Sequence, residues 1–262
     1  MLRNASAIHG CTIAARDGSL GTVSDFLFDD ATWMVRWLVV DTGHWLPGRK
    51  VLLPASILGE VDGVARKFLV DLTMQQVRDS PDIDSERTVS RQMETSVYDY
   101  YGWNPYWGSG LYMGSYGFLG DDGYLNPAGG TLSSQEAQRR ADDILPAHRE
   151  DEDPHLRSIE EVSGYYIHAT DGEVGHVEDF LLEDSDWSIR YLVVATKNWW
   201  PGRKVIISPL LAHDINWSDR LVNLNVDREN VKGSPDYDAA TVVDQAYEAH
   251  LHRHYSDVKP AA

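Results

Sequence analysis

The chain has 262 residues, 42% hydrophobic and 24% charged, with 41 acidic against 23 basic side chains and a formal net charge of −18. That length allows two domains, each large enough to bury a core, while so acidic a surface argues against direct binding to nucleic acid or anionic lipid, whose affinity comes from Lys and Arg on phosphate. The single cysteine, Cys11, excludes an intrachain disulfide, fits a reducing compartment, and reads as a small core residue rather than a reactive thiol.

In chain order, the opening MLRNASAIHGCTI has no sustained apolar core, and no run of about 18 apolar residues follows that could span a bilayer. A cytoplasmic location is expected. Residues 11–16 and 20–28 are β-rich runs around Asp17-Gly18, a dipeptide that tolerates the positive φ of a tight hairpin. Residues 33–41, WMVRWLVVD, form the most strand-like run and are expected at the centre of a sheet. Pro47-Gly48 predicts a type II turn leading into a strand at 50–54, and 68–72 supplies a last strand. Thr73-x-x-Gln76 has capping-box spacing for a short helix ended by Ser-Pro-Asp, and residues 90–101 predict a second helix.

Residues 98–125 are aromatic and Gly-rich, and read as an irregular linker whose rings fill a groove rather than as an adhesive segment. Ser133-x-x-Glu136 then caps a predicted helix reaching about Leu145.

The same pattern then returns. With a constant spacing of 154 positions, Gly10 falls on Gly164, Gly21 on Gly175, Trp33 on Trp187, Pro47 on Pro201, Pro81 on Pro235 and Tyr101 on Tyr255 without a gap. A gapless match of this length is a duplicated domain, and the positions kept are those where backbone shape is special or a large ring needs a fixed pocket. Asp227 stands where Thr73 caps the first short helix, and Tyr247, Leu251 and Tyr255 repeat the apolar stripe of Met93, Val97 and Tyr101 at helical spacing. The expected organisation is 1–102, 103–157 and 158–262: copy, linker, copy.

The Asp-Gly turn, the glycine three residues on, Val-x-Asp-Phe, the Leu-Val-Val strand and Pro-Gly-Arg-Lys together resemble the PRC-barrel domain. That family includes the cytoplasmic domain of the photosynthetic reaction centre H subunit and the C-terminal domain of the ribosome maturation factor RimM. The resemblance implies a mainly β protein: two small antiparallel β-barrels in tandem with short peripheral helices. It implies a non-enzymatic adaptor that docks on a protein partner, such as a membrane-associated assembly, with no cofactor; homo-oligomerisation stays open. Neither the membrane helix of an H subunit nor the N-terminal domain of a RimM is expected in this chain. An H-subunit-like accessory relaying protons is the alternative reading, and a metal-dependent enzyme a second.

Few residues suggest chemistry. Asp25, Asp29 and Asp30 match Asp179, Glu183 and Asp184, but neither cluster has the ligand spacing of a Ca²⁺ loop, so both read as turn residues on a solvated acidic rim. His250, His252 and His254 have no counterpart in the first copy, where Ser96, Tyr98 and Tyr100 stand. They read as an exposed terminal helix rather than a zinc site. The expected protein-binding residues are Trp45, Arg49 and Lys50 around Pro47-Gly48, with Trp199, Trp200, Arg203 and Lys204 around Pro201-Gly202, an aromatic beside a cation being the composition of a binding hot spot. A structural role for the same turns, Trp covering the end of the fold and Arg pairing with a strand carboxylate, competes with that reading.

Overall fold

The computed structural model describes residues 1–58, 66–81, 91–103, 155–196, 202–238 and 241–256. The helix expected after Ser133, most of the aromatic run, and Trp199, Trp200 and Pro201 lie outside them. Met1–Met74 and His155–Ala262 form one compact unit and Gln75–Pro154 a second. Among the described residues, no helix is long and apolar enough to cross a membrane.

The first copy runs β1 (Leu2–Asn4), α1 (Ala5–Ile8), β2 (Thr12–Ala15), β3 (Gly18–Asp29), β4 (Met34–Asp41), β5 (Lys50–Pro54), β6 (Lys67–Leu69) and α2 (Met74–Arg78). After α3 (Arg91–Tyr101) the second copy repeats this order: β7 (Leu156–Ser158), α4 (Ile159–Val162), β8 (Tyr166–Ala169), β9 (Gly172–Glu183), β10 (Ile189–Ala195), β11 (Lys204–Ile207), β12 (Ala212–Asn216), β13 (Leu221–Leu224), α5 (Arg228–Gly233), β14 (Asp236–Tyr237) and α6 (Gln245–Ser256). The structure is thus mainly β, and the 154-residue spacing holds from strand to strand.

One sheet has the order β5-β4-β3-β2-β6, the other β12-β13-β8-β9-β10-β11-β14. Residues 33–41 were expected at the centre of a sheet; β4 is instead an interior strand next to the edge strand β5, the middle of the two orders being β3 and β9, yet the six residues Val35 to Val40 are all buried, so both faces of β4 are covered. Trp37, Leu38 and Val40 are wholly buried, as are Leu192 and Val194 opposite them in the repeat. The long β3 bends over a close approach: a side chain at Gly21 would meet the carbonyl oxygen of Asp41, and one at Gly175 that of Ala195, which is why glycine stands at both.

Two further features depart from the sequence reading. An antiparallel arrangement was expected throughout, yet β6 runs parallel to β2 and β13 parallel to β8. The chain crosses from β5 or β11 before returning, so this last strand arrives in the direction of the first; side-chain alternation carries no information on strand direction. The last strand of the first copy is also Lys67–Leu69 rather than 68–72.

Asp227 caps α5 as expected, accepting from the backbone N–H of Asn230 at 2.8 Å. The hairpin aspartates add a second contact: Asp17 accepts from the N–H of Met74 and Asp171 from that of Arg228, each at 2.8 Å. Helix α6 lays Tyr247, Leu251 and Tyr255 on a cluster of Leu181, Tyr191, Val193, Ile206 and Tyr237, which is the predicted stripe on the sheet. In the second unit, α3 buries Glu94, Val97 and Tyr98, and Tyr101 stacks on Trp103.

Candidate functional site

Each copy completes its sheet with a strand from the other. β1 pairs antiparallel with β9, Leu2 opposite Glu183, while β7 pairs with β3, Leu156 opposite Asp29. The side chains that hold this exchange are the aspartates read from sequence as a solvated rim, and that reading is corrected here.

Asp25 accepts from the Ser158 hydroxyl at 2.6 Å and the Glu160 N–H at 3.0 Å, at the start of α4. Its counterpart Asp179 accepts from the Asn4 amide at 2.9 Å and from the Ser6 hydroxyl and N–H, at the start of α1. Each aspartate therefore caps a helix of the other copy. Asp30 accepts from Arg157 at 2.5 Å and contacts the His155 ring at 2.8 Å, and Asp184 accepts from Arg3 at 2.9 Å. The Arg157 guanidinium also lies over the Trp217 ring, 4.1 Å from its centroid, a cation–π contact.

Burial pushes the Asp25 carboxyl above its ordinary value, opposed by the Ser158 hydroxyl and the Glu160 and Phe26 amides. Burial acts the same way on Asp184, but hydrogen bonds from the Met1 amino group and Arg3 outweigh it and hold that carboxyl below the ordinary value.

The β3–β4 and β9–β10 turns meet directly. Trp33 and Trp187 both have positive φ, a conformation that costs a non-glycine residue roughly 1–2 kcal/mol, and that geometry lets Val35 donate to the Trp187 carbonyl at 3.0 Å and Ile189 to that of Trp33 at 2.8 Å. Trp187 packs against Phe26 and Phe68 of the first copy, and Phe28 against Phe180 of the second. The two copies share one aromatic core.

The expected binding turns lie elsewhere in this unit. Buried Thr42 braces the first: its hydroxyl lies 2.8 Å from the Leu46 carbonyl and 2.6 Å from the Arg49 carbonyl, its one proton shared between them. Thr196 does the same for the second, donating to the Arg203 carbonyl at 3.0 Å. These threonines fall at the repeat spacing, a signal the sequence reading passed over. Trp45 is half-buried and donates from Nε1 to the Leu20 carbonyl at 2.8 Å, while Pro47 and Gly48 are exposed and Arg49 and Lys50 half-buried.

In the second copy Arg203 is bonded to Asp236 and donates to the carbonyls of Lys232 and Ser234, both at 2.6 Å. Lys204 pairs with Glu178 at 2.5 Å. These two residues and Gly202 line an open cleft of about 540 Å³ with Asp236, Tyr237, Asp238 and Thr241. Ser24 stands in the first copy where Glu178 stands in the second, so Lys50 has no carboxylate at that place. Cys11 is buried and its thiol faces the Ala7 carbonyl at 3.6 Å. His254 bonds the Asn230 carbonyl at 2.7 Å, so its contact is with α5. His250 and His252 are exposed.

A small, bent, mainly β domain, present twice and completed by exchanged strands, is the class of protein this geometry defines. Residues 2–76 match the family model of the PRC-barrel domain, so the first copy carries a domain of that family. Over 74 residues it is 32% identical to a Deinococcus radiodurans protein described as an uncharacterized protein; the match covers 28% of this chain and 26% of that one, so the chain spans about a quarter of that relative's length.

Proposed function

We propose that the chain is a non-enzymatic cytoplasmic adaptor made of two PRC-type β-barrels, residues 1–102 and 158–262, which binds a protein partner through the turn around Trp45, Arg49 and Lys50. The observation that carries this reading is the construction of that turn. Thr42 fixes its two ends, Trp45 is anchored by its ring nitrogen yet keeps part of its surface in solvent, and Lys50 makes no ion pair among the described residues. A turn already rigid loses little entropy on docking, and an aromatic beside a cation suits a partner surface with an apolar patch edged by carboxylates. The second turn is a weaker contributor, because Arg203 and Lys204 are engaged with Asp236 and Glu178.

The test is capture from the protein's own lysate at low salt, with wild type beside Lys50→Glu. A stoichiometric protein companion retained by wild type and reduced about tenfold by the variant, at unchanged Tm, supports the adaptor. No companion, or equal recovery by both proteins, overturns it.

A further inference from the structure

We infer that the surface joining the two copies also fits a second molecule of this chain, so that two chains exchange halves and form a closed homodimer. Several contacts across this surface recur at the repeat spacing. Leu2 on β9 matches Leu156 on β3, Arg3–Asp184 matches Arg157–Asp30, Asn4–Asp179 matches Ser158–Asp25, and the Trp33 and Trp187 turns bridge each other. The surface is therefore self-complementary in the way a twofold subunit interface is. Neither copy is complete alone: each lacks a strand of its sheet, and Trp187 is 5% exposed while it packs on rings of the other copy.

Nothing in the length of the connection reserves this pairing for one chain. Trp103 to Pro154 is a connection of 52 residues. In trans, the first copy of each chain receives β7 from its partner and the second copy receives β1, with every bond above retained. The pairing of unlike copies is favoured over like with like. Asn4 accepts from the Tyr237 hydroxyl at 3.1 Å, whereas the first copy has Ile83 at that repeat position, which has no hydroxyl to donate. Both copies of both chains are then used, so assembly stops at two. Because the copies share one chain, pairing within the chain dominates in dilute solution, and exchange requires the copies to separate.

Wild-type chains with and without ¹⁵N label, unfolded together in guanidinium and refolded at about 0.1 mM, are to be measured by native mass spectrometry. The expected result is a mixed-label species at twice the 29.5-kDa chain mass, holding roughly one chain in ten, rising with refolding concentration and persisting for hours after dilution. A chain carrying only Leu2→Cys co-refolded with one carrying only Glu183→Cys should give a disulfide-linked dimer, while Leu2→Cys/Glu183→Cys in one chain gives a crosslinked monomer. Monomer alone at every refolding concentration, or a dimer that dissociates within seconds of dilution, overturns the inference.

Discussion

The two copies share backbone and strand order but neutralise the same arginine in different ways. In the first, Arg36 and Asp29 form an ion pair in which both residues are less than 10% exposed, and Asp29 also accepts from the backbone of Ala31 and Thr32. In the second, Arg190 is exposed, Glu183 is bonded to the Met1 amino group, and the turn is tied by Asp186 to Ser188. A duplicated fold keeps its backbone because glycines and packed strands dictate it, whereas each polar contact can be replaced by another that satisfies the same groups.

The strongest way to break the comparison is one substitution made in both copies. Arg36→Met leaves Asp29 buried without its cation and should cost about 3–5 kcal/mol in urea unfolding, whereas Arg190→Met should cost under about 0.5 kcal/mol. Equal costs would mean that the buried pair contributes nothing that solvent does not. Next come the turn tryptophans. Trp187→Ala should cost about 3–5 kcal/mol, because that ring fills the shared core, and Trp33→Ala, half-buried over Phe28, about half as much.

A smaller effect concerns acid. Because burial raises the folded-state Asp25 carboxyl, its contribution to stability is complete below about pH 3.8 and is lost as pH rises through the folded value. Asp25→Asn keeps an oxygen for Ser158 and Glu160, so its Tm should exceed that of wild type at pH 7, with the difference vanishing below pH 3.8 in calorimetry. Smallest is the alkaline limb. Burial pushes the Tyr247 and Tyr255 hydroxyls up to about 12, and Tyr191 higher still through burial and its bond to Glu248. Their contribution is complete below pH 10 and lost as pH passes about 12, so absorbance at 295 nm should show them un-ionised at pH 11 in the folded protein and ionised after denaturation.

Much of the fold was legible because local chemistry specifies it. Asp17-Gly18, Pro47-Gly48 and the unbroken run at 33–41 each mark an element by residue type, and the repeat confirms them twice. The strand exchange was not legible, because β1 and β7 have three residues each, too few for alternation to show, and the bonds of Asp25 and Asp30 reach groups at least 125 residues away. One clue was present: the 154-residue spacing extends back through Ile8/Val162 and Arg3/Arg157 to Leu2/Leu156, and a repeat that begins before its first strand has work for that segment. The chemistry of the binding turn was legible in Trp45 and Lys50; its rigidity was not, since a threonine hydroxyl bracing a turn looks in sequence like any other threonine.

The exchanged strands also set a timetable for synthesis. β3 cannot receive its outer partner until Leu156–Ser158 has been made, some eighty residues after the first copy's last strand and helix start have left the ribosome. At about 5–20 residues per second, that leaves the nascent first copy waiting roughly 4–16 s with an unpaired strand edge. Such an edge is a template for pairing with neighbouring chains, so a polysome, where like chains emerge side by side, is the setting in which this protein is most exposed to premature association and most in need of a chaperone.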